Sequence, residues 1–385
     1  MNIVICPDSF KESLGAGDVA RAIECGFRRI LPQASYRRVP MADGGEGTVG
    51  CVVECLGGEI VTASVADPWR RPVEAAYGLA HGGKTAIIEM AAASGLERLE
   101  SHERNPCKTS SHGTGQLILA ALDRGVERII LGLGGSATND GGAGMARALG
   151  ARFTDENGHE LAGGGGALGK LAHVDLSGLD QRLSRIRFDV ACDVDNPLCG
   201  AQGASAVFGP QKGADPRMVA ELDANLRHYA QVIEKATGRD VADRPGAGAA
   251  GGVGAMLMAL FDVTLRAGVE IVMEAVELPR ALAEADLVLT GEGRIDGQTI
   301  CGKTPIGVAR AAKRHDVPVI GLAGAIADDG GKVVDHGIDA IFSVTPRVME
   351  LDEALEKTEG HIERTAEQIA RLLLLARKLP AFGTS

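Results

Sequence analysis

NIVICPDSFKESLGAGDVARAIECGFRRI, residues 2–30, reads as strand, loop and helix in succession. NIVIC is a short apolar run. Beyond it Val19, Ile23, Phe27 and Ile30 recur at three- and four-residue spacing, which is one buried stripe of a helix. An apolar strand followed by such a helix points to a parallel sheet covered on both faces. Outward from this stretch the alternation continues. A strand is expected over 36–41, then a helix with Val49, Val52, Val53 and Leu56 inward. The last third repeats the pattern, with strands at DLVLT (286–290), VPVIGL (317–322) and DAIFSV (339–344), a helix after Pro305 and a long terminal helix.

The middle reads differently. From DPWRRP (67–72) onward, VEAAYGLA (73–80) and TAIIEMA (85–91) look antiparallel and amphipathic, and the glycine-rich loops lengthen. The expected fold class is therefore α/β: a discontinuous Rossmann-like parallel-sheet domain from residues 1–66 and 280–385, with a second, inserted α/β domain of α+β pattern over 67–279. Residues 108–150 carry a helix–strand–helix pattern that also suits the first sheet. Ligands of open α/β sheets bind beyond the carboxyl ends of the strands, so an active-site cleft between the domains is expected.

Glycine is the compositional outlier, at 53 of 385 residues, about twice the usual share of roughly 7%. The net charge is −11, aromatics make up 3%, and no basic block stands out, which argues against a nucleic-acid partner. The chain opens on an apolar strand without a basic leader. Its longest uncharged stretch, 245–261, holds 17 residues and five glycines, short for a membrane span. Eight scattered cysteines without a CxxC, Cys51 and Cys55 among them, suit core packing in a reducing cytoplasm.

Four polar or glycine-rich loops follow expected strands. PDSFKES (7–13) carries Asp8, Ser9, Lys11 and Ser13, and PMADGGEGT (40–48) carries Asp43 and Glu46. LGLGGSATNDGGAGM (131–145) is the longest, and TGEGRIDGQT (290–299) carries Glu292, Arg294 and Asp296. One such loop is an ordinary turn. Four at equivalent positions beyond parallel strands lie on one edge and suggest a site. Within the third loop Gly132, Gly134 and Ala137 mimic a dinucleotide fingerprint. The interruption at Thr138, Asn139 and Asp140 delays its helix to about Ala143, so a cradle of backbone N–H groups for phosphate fits and a nicotinamide dinucleotide does not. GQTICGKT (297–304) spells a complete P-loop. DLVLT ends seven residues earlier, and Pro305 removes an N–H where phosphate would need it. Thr304 and Pro305 read better as N-cap and first helical residue.

FDVACDVDNPLCG (188–200) places Asp193, Asp195 and Asn196 at a strand end, where their oxygens suit a magnesium ion, a general base or a plain Asp-Asn-Pro turn. KTSSHGTGQLI (108–118) sets Thr109, Ser111 and Thr114 before a helix expected from Gln116, either as caps or as an anion site. His112 reads as a loop histidine. Trp69 and the Met256/Met258 pair read as packing.

PDSFKESL, PMADGGEGT, the GTG helix start, GLGGSATNDGGAGM, ACDVDNPL, VFGPQKGA, GAGAAGGVGAM and LTGEGRIDGQT follow one another in this order, and in this the chain resembles the bacterial glycerate kinase family. The resemblance runs from Met1 to beyond Val344. His112 stands where the family often carries an aromatic residue, and Lys303-Thr304 of the P-loop string is outside the family pattern. The resemblance implies a two-domain enzyme that uses ATP and Mg2+ to phosphorylate D-glycerate, commonly at the 2-hydroxyl. The alternatives are 3-phosphorylation and a P-loop NTPase using 297–304.

Under that reading Asp193 is the base, with Lys11 and Arg294 as further catalytic groups. ATP phosphates fall to Ser9, Gly134, Gly135, Ser136, Thr138, Gly113 and Thr114, and Asp8, Asp43, Glu46 and Glu292 contact substrate. Asp140, Asp195 or Asn196 holds the metal. Partners are small molecules, with no nucleic acid or membrane, and a homo-oligomer is compatible.

Overall fold

The computed structural model describes residues 1–301 and 303–379. In chain order the strands are β1 (Asn2–Pro7), β2 (Ser35–Arg38), β3 (Glu59–Ala66), β4 (Pro72–Ala80), β5 (Thr85–Glu89), β6 (Arg128–Gly132), β7 (Arg152–Thr154), β8 (His173–Asp175), β9 (Arg187–Ala191), β10 (Leu265–Arg266), β11 (Leu287–Ile295), β12 (Val319–Ile326) and β13 (Ala340–Ser343). They form two units, one from Met1–Asp43 and Val272–Ser385, the other from Gly44–Ile271.

The first unit is built on a wholly parallel five-stranded sheet in the order β13-β12-β11-β1-β2, a Rossmann-like core. Its helix Ala16–Arg28 buries Val19, Ile23 and Phe27 completely, as the sequence stripe requires, and ends before Ile30. Gly26 lets this helix close onto Ala366 of the terminal helix Thr358–Ala376. Beyond Arg38 the N–H groups of Val39 and Met41 still donate to Ile5 and Pro7, so pairing with β1 runs on to Met41.

The second unit carries a six-stranded sheet, β10-β9-β6-β5-β4-β3, and a small antiparallel pair, β7-β8. Only β3, β4 and β5 are antiparallel neighbours; β5, β6, β9 and β10 run parallel. β5 is not amphipathic, as its sequence suggested, but buried along most of its length. Ile87 lies on the face where Gly78 meets Val49 and Val53 of helix Thr48–Leu56, while Ala86 and Ile88 join the core with Leu117 and Ile118. A strand covered on both faces loses its alternation. The units divide at residues 43/44 and 271/272, rather than 66/67 and 279/280. Helix Thr48–Leu56 and β3 both pack within the second sheet. Residues 108–150 supply β6 to that same sheet.

Candidate active site

In the first unit the polar loops leave the carboxyl ends of β1 and β11. Asp8 follows β1, and its backbone N–H donates to Gly291 of β11 at 2.8 Å. Its carboxylate accepts from Ser9 N at 2.6 Å and from Thr304 Oγ1 at 2.5 Å. Burial pushes the Asp8 carboxyl up to about 6, against the Thr304 hydrogen bond and with help from the nearby charge of Asp43. Glu292, near the end of β11, is also raised by burial, while Thr299 Oγ1 donates to it at 2.6 Å. The Lys303 ammonium lies 3.6 Å from Glu292 and 3.9 Å from Asp296. Arg294 is exposed, 3.5 Å from Asp296, on the rim of an open depression of 540 Å3 that also touches Gln298, Asp329 and Lys332. Lys11 is exposed and has no ion-pair partner among the described residues.

The P-loop string lies in this unit, and one of its residues, Gly302, is outside the described residues. β11 runs to Ile295, well past Thr290, so distance from the strand is no objection to the motif. The objection is chemical. Lys303 faces two carboxylates and occupies the N-cap position of helix Thr304–Lys313 without a side-chain cap, and Thr304, the first helical residue rather than the N-cap, spends its hydroxyl on Asp8. Both residues that complete the string thus serve carboxylates of the first unit.

In the second unit the loops leave β5, β6 and β9. The loop after β6 approaches the chain at Gly44 so closely that a side chain on Gly132 would strike the Gly44 carbonyl. Gly135 takes the left-handed conformation, φ 71°. Gly134 and Gly135 are exposed. Among the described residues no acceptor faces the N–H groups of Gly134, Gly135 and Ser136, whereas the flanking Leu133 and Ala137 donate to Ala191 and Ser94. Successive open N–H groups around a left-handed residue form an anion-binding nest.

Behind this nest the polar groups are largely engaged. Asp140 is 1% exposed, and its two oxygens accept from Ser111 N, Ser111 Oγ, Gly142 N and Gly144 N at 2.9 to 3.2 Å. That saturated carboxylate does not fit the metal role expected of it; it pins two loops together. Helix His112–Asp123 starts four residues before the expected Gln116 and buries its first turn. Gly113 admits the close approach of Ala66, and Thr114 Oγ1 donates to Ser94 Oγ at 2.9 Å, so both pack rather than face a ligand. His112 opens the helix, its pKa lowered by burial and by Arg70.

Glu89, unmarked by any motif, ends β5 and accepts from Val49 N at 2.8 Å, occupying the start of helix Thr48–Leu56. Glu46 is exposed nearby. Asp193 accepts from Gly268 N at 2.9 Å, and Asp193 and Asp195 are exposed. Asn196 donates its amide to the Gln202 carbonyl. Among the described residues no three His, Cys, Asp or Glu side chains converge on a metal position. Magnesium is commonly held by one or two carboxylates plus substrate phosphates, and the solvent-exposed carboxylates of Asp193 and Asp195 fit that donor set.

A wholly parallel sheet in one unit and a largely parallel sheet in the other, each with polar loops beyond its strand ends, define an α/β protein of the kind that binds ligands at those ends. The chain belongs to the glycerate kinase family, whose model matches residues 3–374. It is 54% identical to a glycerate kinase of Bacillus subtilis (strain 168), over 98% of this chain and 99% of that one. It is 54% identical to a glycerate 2-kinase of Escherichia coli (strain K12), over 98% of this chain and 99% of that one. A solved Salmonella typhimurium LT2 chain described as glycerate kinase 2 superposes with a TM-score of 0.91 at 54% identity, covering 98% of this chain and 100% of its own. The protein is thus an ATP-dependent kinase.

Proposed function

We propose that the protein transfers the γ-phosphoryl group of ATP to the 2-hydroxyl of D-glycerate, giving 2-phosphoglycerate and ADP. The observation that carries this is the 54% identity, over 378 residues, to a protein named for 2-phosphorylation. In the reaction the bond between the γ-phosphorus and its bridging oxygen breaks, and that oxygen leaves with ADP. A new bond forms from the glycerate oxygen to phosphorus, and the hydroxyl proton passes to a base.

Asp8 suits the base better than Asp193 does, because burial holds its pKa near the working range of a general base while Asp193 is exposed. Residues 134–136 offer three N–H groups to the phosphates. Lys11 and Arg294 supply exposed cations for phosphoryl or carboxylate oxygens; Ser9 and Glu292 lie beside them in sequence, and Asp43 and Glu46 lie in the polar loop 40–48. Magnesium would rest on Asp193 or Asp195 together with nucleotide oxygens, where it supplies charge neutralisation. Seven free cysteines among the described residues suit a reducing cytoplasm. No described helix is long and apolar enough to cross a membrane.

Phosphorus NMR of the purified protein with MgATP and D-glycerate tests the reaction. A 2-phosphoglycerate signal that needs both substrates is expected. A 3-phosphoglycerate signal would move the acceptor to the other hydroxyl, and ATP loss without glycerate would favour an NTPase.

A further inference from the structure

VFGPQKGA (207–214) carries a lysine, Lys212, that no catalytic role above uses. Lys212 closes a single 3-10 turn, Pro210–Lys212, and is 1% exposed. Its Nζ donates to Ser136 Oγ at 3.0 Å and to the Thr138 carbonyl at 2.7 Å. No carboxylate lies within ion-pair distance of it among the described residues, though buried lysines are almost always paired. The same loop holds two buried polar atoms without partners, Thr138 Oγ1 and Asn139 Oδ1. A native protein rarely buries a lysine without a counter-charge unless a ligand supplies one, and the unpartnered Thr138 hydroxyl in the same loop has a hydrogen to give to an anion.

We infer that Lys212 is the positioning residue of the nest: an ammonium fixed behind residues 134–138 that sets the loop's geometry and attracts the phosphate chain bound on its open side. The inference rests on the reading of residues 134–136 as the phosphate cradle. Lys212 acts through Ser136 and the Thr138 carbonyl, both of which it holds from the buried side. Burial pushes its pKa down to about 7, and Asp140, the charged group that acts on it, only partly offsets this. Above that pH the free protein therefore carries mostly the neutral amine, and an arriving polyphosphate favours the charged form. Binding then draws a proton from solvent. At pH 6 the amine is already charged and little uptake remains.

The test uses isothermal titration of MgATP and of inorganic tripolyphosphate into the full chain and into K212M and G135A. Wild-type protein at pH 8, titrated with MgATP in two buffers of different ionisation enthalpy, is expected to take up protons on binding, and less at pH 6. K212M is expected to bind both ligands roughly ten- to hundredfold more weakly, the range of a lost hydrogen bond to a charged group, with adenosine binding unchanged. A purely structural lysine would instead weaken adenosine and polyphosphate alike, with no proton uptake. G135A, which forces a side chain onto a left-handed residue 3.1 Å from Ala91, separates the two readings. If G135A binds tripolyphosphate like wild type, the cradle assignment fails and the role of Lys212 falls with it. If G135A weakens binding while K212M does not, the cradle stands and Lys212 is overturned. Should K212M fail to fold, K212Q takes its place, and a K212Q variant that binds tripolyphosphate like wild type overturns the proposal.

Discussion

The loops beyond β1 and β11 and the loops beyond β5, β6 and β9 are two uses of one geometry. Parallel strands aim both sets past their carboxyl ends, yet their carboxylates live in opposite states. Asp140 in the second unit is buried and saturated by four donors, so its charge is spent on architecture. Asp8 in the first unit is pushed up to about 6 because burial outweighs its few hydrogen bonds, so its charge is available to a proton. A buried carboxylate is thus no mark of chemistry by itself. What separates scaffold from reagent is whether the donors around it outweigh its desolvation.

The comparison breaks first at Asp8. Asp8→Asn is expected to lower kcat by roughly 100- to 10,000-fold, the usual loss of a general base, with ATP binding nearly unchanged. Stability should move the other way. A carboxyl whose folded pKa, about 6, exceeds its ordinary value of 3.8 is bound more tightly by protons in the native state, so its ionised form destabilises the fold above pH 6. The asparagine variant should therefore be at least as stable as wild type at pH 8, and less advantaged as pH falls toward 4. Steady-state kinetics and urea denaturation at the two pH values check this. A variant that turns over normally would return the base to Asp193.

Asp140→Ala should show the reverse pattern. It leaves Ser111 N, Ser111 Oγ, Gly142 N and Gly144 N without their acceptor, and is expected to cost about 3 kcal/mol of unfolding free energy. The midpoint in urea would fall, and activity would be lost only in proportion to unfolding. A variant of unchanged stability but lost magnesium dependence would make Asp140 a metal ligand after all.

The parallel α/β frame was legible because apolar strands and helical stripes such as Val19, Ile23 and Phe27 follow local rules. The unit boundary was not, since helix Thr48–Leu56 looks the same whichever sheet it covers; its partners β4 and β5 come later in the chain. The open backbone at residues 134 and 135 was legible, because consecutive glycines leave it uncovered and admit the left-handed turn at Gly135. Lys212, Glu89 and the pairing of Thr304 with Asp8 were not. Each acts across 40 or more positions of sequence, and one chain carries no trace of such a contact. The P-loop string shows the same limit from the other side. A residue-perfect motif was set aside partly for a strand end placed five residues too early, and its Lys and Thr prove to matter for acids that the motif does not mention.

That last pairing gives the smallest effect and the most specific one. Thr304 Oγ1 donates to the Asp8 carboxylate at 2.5 Å and is the largest influence opposing its burial. Thr304→Val keeps the shape and removes the donor, so the ionised form loses support and the Asp8 pKa rises further. The acid limb of kcat/KM for glycerate, expected near pH 6 in the wild type, should move up by roughly one unit, the equivalent of one charged hydrogen bond. At pH 8.5, above both limbs, the variant should approach wild-type turnover. A limb that stays in place would mean that the titrating group is not Asp8, whatever Asp8→Asn does to kcat. A limb that moves down would mean that the hydroxyl had been holding the proton on the acid, and the electrostatic contrast between the two units would narrow accordingly.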